Sequence, residues 1–530
     1  MKNQIKRISQ SQSLLNQILS RPNWIQVIQK LDAHILSQLI HHIGLEDSGE
    51  LVALATTEQL TKIFDDDLWK NESPGQEEKL DIDRFSVWLE ILFEIGEEFA
   101  VQKITEMDED FLVMALSQQV LVIDVEQLAI QVSGRGGNRS AQIDLEEKVL
   151  ESSLHHEFEE YRIISRRSEG WDTILTLLVA LDRDHHSFLR RILDRCAYLS
   201  SEFIDDNGGL FQVLTAEEML ETDVAYEREK RREKGGFVSP LDALGFLNLA
   251  RVSSRSELFR TKRDDFFRSP PSSSAPQMGD RDIEQFMGFL KKKGVVKEEE
   301  ASLLLDSSQR QQGLKQDWIR MGLLSLHHEN SALYFDKISE LNYLANVLVS
   351  GCSYKGRKFR SVEAAEAVLA TCNLGLEWIS SQSQCAVSPS ERELAQMIQG
   401  TSTLKLFQIG WNILYQDITV LVGRSLLERF AAISVSDSWL QDQLKLFREK
   451  LKKTVAQGKP WLCRKDLELF SAIFGSEEWV ILEGLIDECP TLDQLHSDEG
   501  RQVIQTHWIS THQQIQRAQA WLEKGFKKAE

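Results

Sequence analysis

The sequence predicts an all-α protein of several domains, and three observations carry that prediction. At 530 residues the chain exceeds the size at which one hydrophobic core stops growing, so two or three domains are expected. Only nine prolines interrupt it, three of them between Pro270 and Pro276, which leaves long Leu-, Glu-, Gln- and Ala-rich stretches that favour helix. Apolar residues recur at steps of three and four, and no convincing period-two strand is evident.

The first element is an internal repeat. A shift of 52 residues lays Ile43-Gly44 on Ile95-Gly96, Leu36 on Trp88, Leu39 on Ile91, Leu60 on Leu112 and Phe64 on Leu116. Each copy reads as three short helices, the stacked unit with which a solenoid begins. In the first copy Asp32 caps a helix ended by Gly44, Asp47 with Glu50 offers a capping box for the second helix, and Thr56 with Gln59 one for the third. In the second copy Gly96 ends the first helix and Asp108 starts the last. The predicted organisation is an N-terminal, solenoid-like helical-repeat module over 1–132, a second helical region over 141–267, a flexible linker over 268–281 and a C-terminal helical domain over 282–530. The boundaries rest on SGRGGNRS at 133–140 and on the Pro- and Ser-rich run at 268–281.

Further along, Trp171 to Leu181 is a helix with Asp182 and Asp184 capping the next one. Ile338, Leu341, Leu344, Val347 and Leu348 form a stripe ending at Gly351, Ser361 caps a following helix, and a long helix runs through Trp411 and Val422. Ile504, Trp508, Thr511, Ile515, Ala518 and Leu522 alternate in steps of four and three, a short heptad seam.

Charge is concentrated. From Leu31 to Glu126 there are 23 Asp or Glu against five Lys or Arg, a net of −18 in a chain of −21. A folded module with such a field is solvated, binds cations or meets a basic surface. Asp65, Asp66 and Asp67 follow Phe64 at a helix C-terminus, where the helix dipole disfavours carboxylates, so a cation or an Arg from elsewhere is expected to offset them. Glu106, Asp108, Glu109 and Asp110 lie at a helix start, where acids are favourable. These seven are the candidate partner-binding residues. Glu227 to Arg268 is basic, 11 Lys or Arg against seven acids, and contact with the chain's own acidic module is one reading of it.

Metal ligands are weighed next. Asp65, Asp66 and Asp67 are one candidate set for magnesium or calcium, without EF-hand spacing. Asp184, His185 and His186 are a second, although capping explains the acid without chemistry. Glu147, Glu151, His155 and Glu159 line one helix face at steps of four, which could hold a metal if a second such helix faced it, and no second E-x-x-H partner is evident. In each case a solvated or internally paired polar face is the simpler explanation.

No phosphate loop, G-x-S-x-G, H-E-x-x-H or kinase signature is present, and Gly134-Arg135-Gly136-Gly137 lacks the G-K-[ST] ending, so no catalytic residue and no cofactor are expected. The six cysteines are scattered with no C-x-x-C pair, which argues against a zinc ribbon and a disulfide framework. Neither a secretory leader nor a run of roughly 18–20 apolar residues is evident, so cytoplasmic residence without a membrane span is expected. The acidic balance argues against nucleic acid.

The stretch IGLEDSGELVALATTEQLTKIFDDDLW, followed by DRFSVWLEILFEIGEEFA and MDEDFLVMAL, resembles an uncharacterised bacterial family of a domain of unknown function (six-one-seven-eight). REKGGFVSPLDALGFLNLAR, LANVLVSGCSYKGRKFRSVEAAEAVLATCNLGLEWI and LFQIGWNILYQD look like later blocks of it. The resemblance implies a bacterial cytoplasmic protein and carries over no functional residue. Met107 to Phe111 is also similar to the helical-repeat module of MgtE-type magnesium transporters, which implies cation sensing at most. The expected function is binding or scaffolding through a partner protein with a basic surface. A divalent-cation-responsive regulator and an enzyme of unfamiliar type are the alternatives.

Overall fold

The computed structural model describes residues 14–19, 24–71, 75–126, 154–202, 215–260, 281–295, 317–382, 389–432, 438–457, 459, 462, 467–474, 476–498 and 501–525. The breaks at 133–140 and 268–280 lie outside the described residues. The fold is predominantly helical and falls into two compact units. One is drawn from Met1–Lys70, Glu78–Arg232 and Ser274–Lys297, the other from Asn71–Glu77, Glu233–Ser273 and Glu298–Glu530.

The first unit opens with α1 (Trp24–Lys30), α2 (Ala33–Ile43), α3 (Gly49–Leu54) and α4 (Thr57–Asp67). Asp32 accepts from the His34 N–H to start α2, and Gly44 ends it at φ 110°, a backbone conformation that L side chains rarely adopt. Thr56 and Gln59 form a reciprocal capping box on α4. Asp47 and Glu50 do not. A 3₁₀ turn over Glu46–Ser48 runs straight into α3, whose N-cap Ser48 makes no capping bond and donates its hydroxyl back to the Gly44 carbonyl oxygen (2.6 Å) instead. A two-residue hairpin, β1 (Trp69–Lys70) with β2 (Lys79–Leu80), leads to α5 (Ile82–Ile95), α6 (Glu97–Thr105) and α7 (Glu109–Ser117). Gly96 ends α5, and Asp108 caps α7 by accepting the Phe111 N–H. Trp88, 1% exposed, meets Phe64 edge-on with ring centroids 4.9 Å apart, joining α5 to α4.

Three strands then interrupt the helices: β3 (Val120–Asp124), β4 (His155–Phe158) and β5 (Tyr161–Ser165), antiparallel in the order β3-β5-β4. The sequence expectation of no strand is therefore corrected. Val120, Val122, Tyr161 and Ile163 are buried at alternate positions, a period of two too short to register against the helical pattern. His155 lies in β4, so it shares no helix face with Glu159, which sits in the β4–β5 turn; Glu147 and Glu151 lie outside the described residues. Next come α8 (Trp171–Glu202), α9 (Ala216–Glu233) and, later in the chain, α12 (Arg281–Lys292). Asp182 and Asp184 cap nothing. Two helices meet within α8 at a kink at His185 (φ −139°, ψ 42°), so the expected helix break is present, but Asp182 and Asp184 bond only the side chains of His186 and Arg183.

The second unit holds α10 (Pro240–Val252), α11 (Arg255–Arg260), α13 (Trp318–Glu329), α14 (Ser331–Gly351), α15 (Ser361–Gln382), α16 (Glu391–Gly400) and α17 (Thr403–Ile413). A π-helical turn, Leu414–Thr419, joins α17 to α18 (Val420–Ala432), and α19 (Ser438–Ala456) and α20 (Ser476–Leu485) follow. Helices α15 and α17 touch backbone to backbone. A Cβ at Gly375 would lie 1.9 Å from the Leu406 carbonyl oxygen, and one at Gly410 1.9 Å from that of Thr371. Two hairpins complete the unit, β6 (Ser353–Tyr354) with β7 (Arg357–Lys358) and β8 (Thr491–Asp498) with β9 (Arg501–Trp508), before α21 (His512–Gly525). Ile504 and Trp508 thus lie in a strand, and only Ile515, Ala518 and Leu522 of the predicted seam are buried on α21.

Candidate functional site

In the first unit the acids at the end of α4 are held by arginines from α9. Asp65 is 5% exposed and accepts from Arg231 Nε (2.9 Å) and Nη2 (2.7 Å), a two-pronged carboxylate clamp. Arg228, itself buried, donates to the Asp65 carbonyl oxygen (2.7 Å) and to Glu78 (2.7 Å), with its guanidinium 4.5 Å from the centre of the Trp69 ring. Burial, with Arg232 close by, pushes the Arg228 guanidinium down to about 10. Arg232 reaches both Asp66 (3.1 Å) and Glu78 (2.9 Å). The start of the basic run therefore meets the acidic segment of its own unit through three arginines at helical spacing, whereas Arg251 and Arg255 pair with Glu488 and Asp417 in the second unit.

Asp67 turns the other way. It accepts from Arg84 Nε (2.7 Å), Trp88 Nε1 (2.6 Å) and His41 Nε2 (3.0 Å). Burial opposes its charge, but those three hydrogen bonds and the Arg84 charge hold the carboxyl well below the usual range. The bond to Asp67 in turn raises His41. The dipole cost expected at this helix end is offset within the fold.

The α7 acids are distributed similarly. Glu106 accepts from Thr57 Oγ1, from Gln102 (2.9 Å) and from Lys103 (3.3 Å), and it is lowered chiefly by the Thr57 bond. Asp108 is a cap, while Glu109 and Asp110 pair with Arg191 and Arg195 of α8. At the kink Asp184 lies against Arg183, which also reaches Glu97 (2.7 Å). His186 Nδ1 meets Asp182 at 2.9 Å, and Glu159 stands 3.9 Å from its Nε2. So Asp65 to Asp67 and Asp184 to His186 come together only locally. No group of three His, Cys, Asp or Glu side chains placed to hold a metal ion is found among the described residues. No described helix is long and apolar enough to cross a membrane.

Residues 3–198 match the model of DUF6178, a family of unknown function. No curated protein and no solved structure matches the chain. The matched stretch takes in the acidic segment and most of α8, but α9 with Arg228, Arg231 and Arg232 lies beyond it.

The second unit carries a buried polar joint that sequence reasoning missed. Asp487 and Glu488 follow α20 and grip the β6–β7 hairpin. Glu488 accepts from the Ser353 N–H (2.9 Å) and hydroxyl (3.2 Å), and from Arg251 Nη2 (2.9 Å), which is 3% exposed. Asp487 accepts from the Lys355 N–H (2.6 Å) and the Glu488 N–H (2.8 Å). Lys355 Nζ donates to Asp493 (2.9 Å) and Thr506 (3.2 Å). The segments it joins, at Arg251, Ser353–Lys355 and Asp487–Asp493, lie more than a hundred positions apart and form no motif. The one local signal was Lys355-Gly356, where φ of 50° and 73° makes a two-residue hairpin turn.

Proposed function

We propose that this chain is a non-enzymatic binding or scaffolding protein of the bacterial cytoplasm whose partner presents a basic surface. One observation carries the reading. Glu46, Asp47 and Glu50 around the start of α3, and Glu90, Glu94 and Glu98 on α5 and α6, are exposed and make no ion pair among the described residues. The two groups lie near each other, because a Cβ at Gly49 would stand 3.8 Å from Ile95 Cγ1. The acids at 65–67 and 106–110 are largely balanced inside the fold, so the remaining field is centred on this edge.

The platform is the repeat. In each copy three short helices follow one another, and a glycine, Gly44 or Gly96, ends the first. Stacked helical units of this kind present extended surfaces to partners. Charge reversal of Glu46, Asp47 and Glu50 to Lys tests the reading by affinity purification from the source cells. Loss of a basic partner, with recovery by the unmodified chain falling as salt is raised, supports it. Recovery of the same proteins by the reversed variant refutes it.

A further inference from the structure

We propose that Asp487 is a proton-operated catch, which holds the β6–β7 hairpin against the α20–β8 junction while neutral and lets it loosen when it ionises. The inference concerns the second unit and stands apart from the partner reading above.

The geometry singles out Asp487 among the acids of this joint. It is 7% exposed and makes no ion pair among the described residues. Its neighbour Glu488 is matched by the buried Arg251 at 2.9 Å, and Asp493 by Lys355 at 2.9 Å. The Lys355 ammonium is thus committed elsewhere, although its backbone N–H is on Asp487. The facing charged and titratable groups are Lys355 and Arg357 from the hairpin, Cys352 just before it, and Glu488 and Cys489 beside Asp487 itself. Arg357 is chiefly engaged by Glu363 (2.7 Å), and both thiols are buried. An ionised Asp487 would therefore add a second, unmatched negative charge next to Glu488 in a site closed to water. Burial accordingly pushes its carboxyl up to about 7 against the opposing pull of the two amide hydrogen bonds.

The hairpin is suited to respond. Each strand is two residues long, so it holds few ladder bonds of its own. It is kept in place by Glu488 at Ser353, by Asp487 at the Lys355 N–H, by Asp493 at the Lys355 ammonium, and by the tilted contact of Tyr354 with Trp508, with centroids 5.0 Å apart. A neutral carboxyl still accepts the Lys355 N–H through its carbonyl oxygen. Loosening the hairpin lets water reach the ionised form.

With the closed-state value raised above the ordinary 3.8, the hold is complete below that value and is lost as pH rises towards 7. Hydrogen–deuterium exchange on the full chain tests this, read as protection of the amides of residues 353–358 after correction for intrinsic rate. Protection is expected to fall about tenfold per pH unit between about pH 5 and 7 and then to level. Asp487→Asn is expected to flatten the profile. A flat profile in the unmodified protein, or an unchanged slope in the Asn variant, overturns the proposal. If the Asn variant does not fold, Arg357→Gln removes a facing cation at an exposed position; the levelling point should move up, and an unmoved one overturns the assignment.

Discussion

Arg231 on α9 clamps both carboxylate oxygens of Asp65 on α4, at 2.9 and 2.7 Å, across 166 residues of chain. Replacing Arg231 with Met leaves Asp65 as a buried, uncompensated charge, and a loss of about 3 kcal/mol in urea unfolding is expected. The double variant Asp65→Leu with Arg231→Met should recover much of that loss, because no charge is then stranded. A double variant as unstable as Arg231→Met alone would show that the pair does not act as a unit.

Gly375 and Gly410 face the backbone of the opposite helix, and neither can carry a methyl group without moving it. A Cβ 1.9 Å from a carbonyl oxygen forces α15 and α17 apart, and separation opens gaps around Leu406, Phe407 and Trp411. Gly375→Ala and Gly410→Ala are each expected to destabilise the second unit by about 3 kcal/mol or more, the range of overpacking plus cavity formation. Gly400→Ala has open space around it and serves as the control. Thermal melts that place all three together would contradict the close approach.

The capping signals on either side of α3 give a sharper comparison. Thr56→Ala removes a reciprocal box that the structure forms and should cost about 1 kcal/mol. Asp47→Ala removes an exposed side chain that caps nothing and should change stability by less than about 0.5 kcal/mol. Equal effects in chemical denaturation would mean that Asp47 caps α3 after all.

That comparison also shows how far the sequence could be read. Helices were legible where the apolar stripe ran at least two turns and a cap stood at the end, as at Asp32–Gly44, Thr56–Gln59 and Asp108. The strands were not, because Val120–Asp124 and Tyr161–Ser165 offer only two or three alternations each. Ile504 and Trp508 fitted a heptad by spacing alone, since a strand and a helix can each supply such a pair. The acid triplet was visible, and so was its need for an offsetting cation. The basic run from Glu227 was one candidate source, but the particular partners Arg84, Arg231 and Arg232 were not legible, because tertiary packing and not local spacing fixes them. Asp487 was illegible for the same reason.

The Asp67–His41 bond gives opposite pH signatures at its two ends. Asp67 is held below its ordinary 3.8, so its contribution is present above that value and is lost as pH falls towards the folded one. His41 is raised above 6.5, so its contribution is full below 6.5 and is lost as pH rises through the folded value. The first unit should therefore be firmest between these limits as far as this pair decides. His41→Gln is expected to remove the loss on the alkaline side while leaving the acid limb in place, because Arg84 and Trp88 still bond Asp67. Asp67→Asn should remove both and cost about 2–4 kcal/mol at neutral pH, since Arg84 then faces a neutral amide. Urea midpoints from about pH 3 to 9 measure this. An alkaline limb that survives in His41→Gln would assign it to another group.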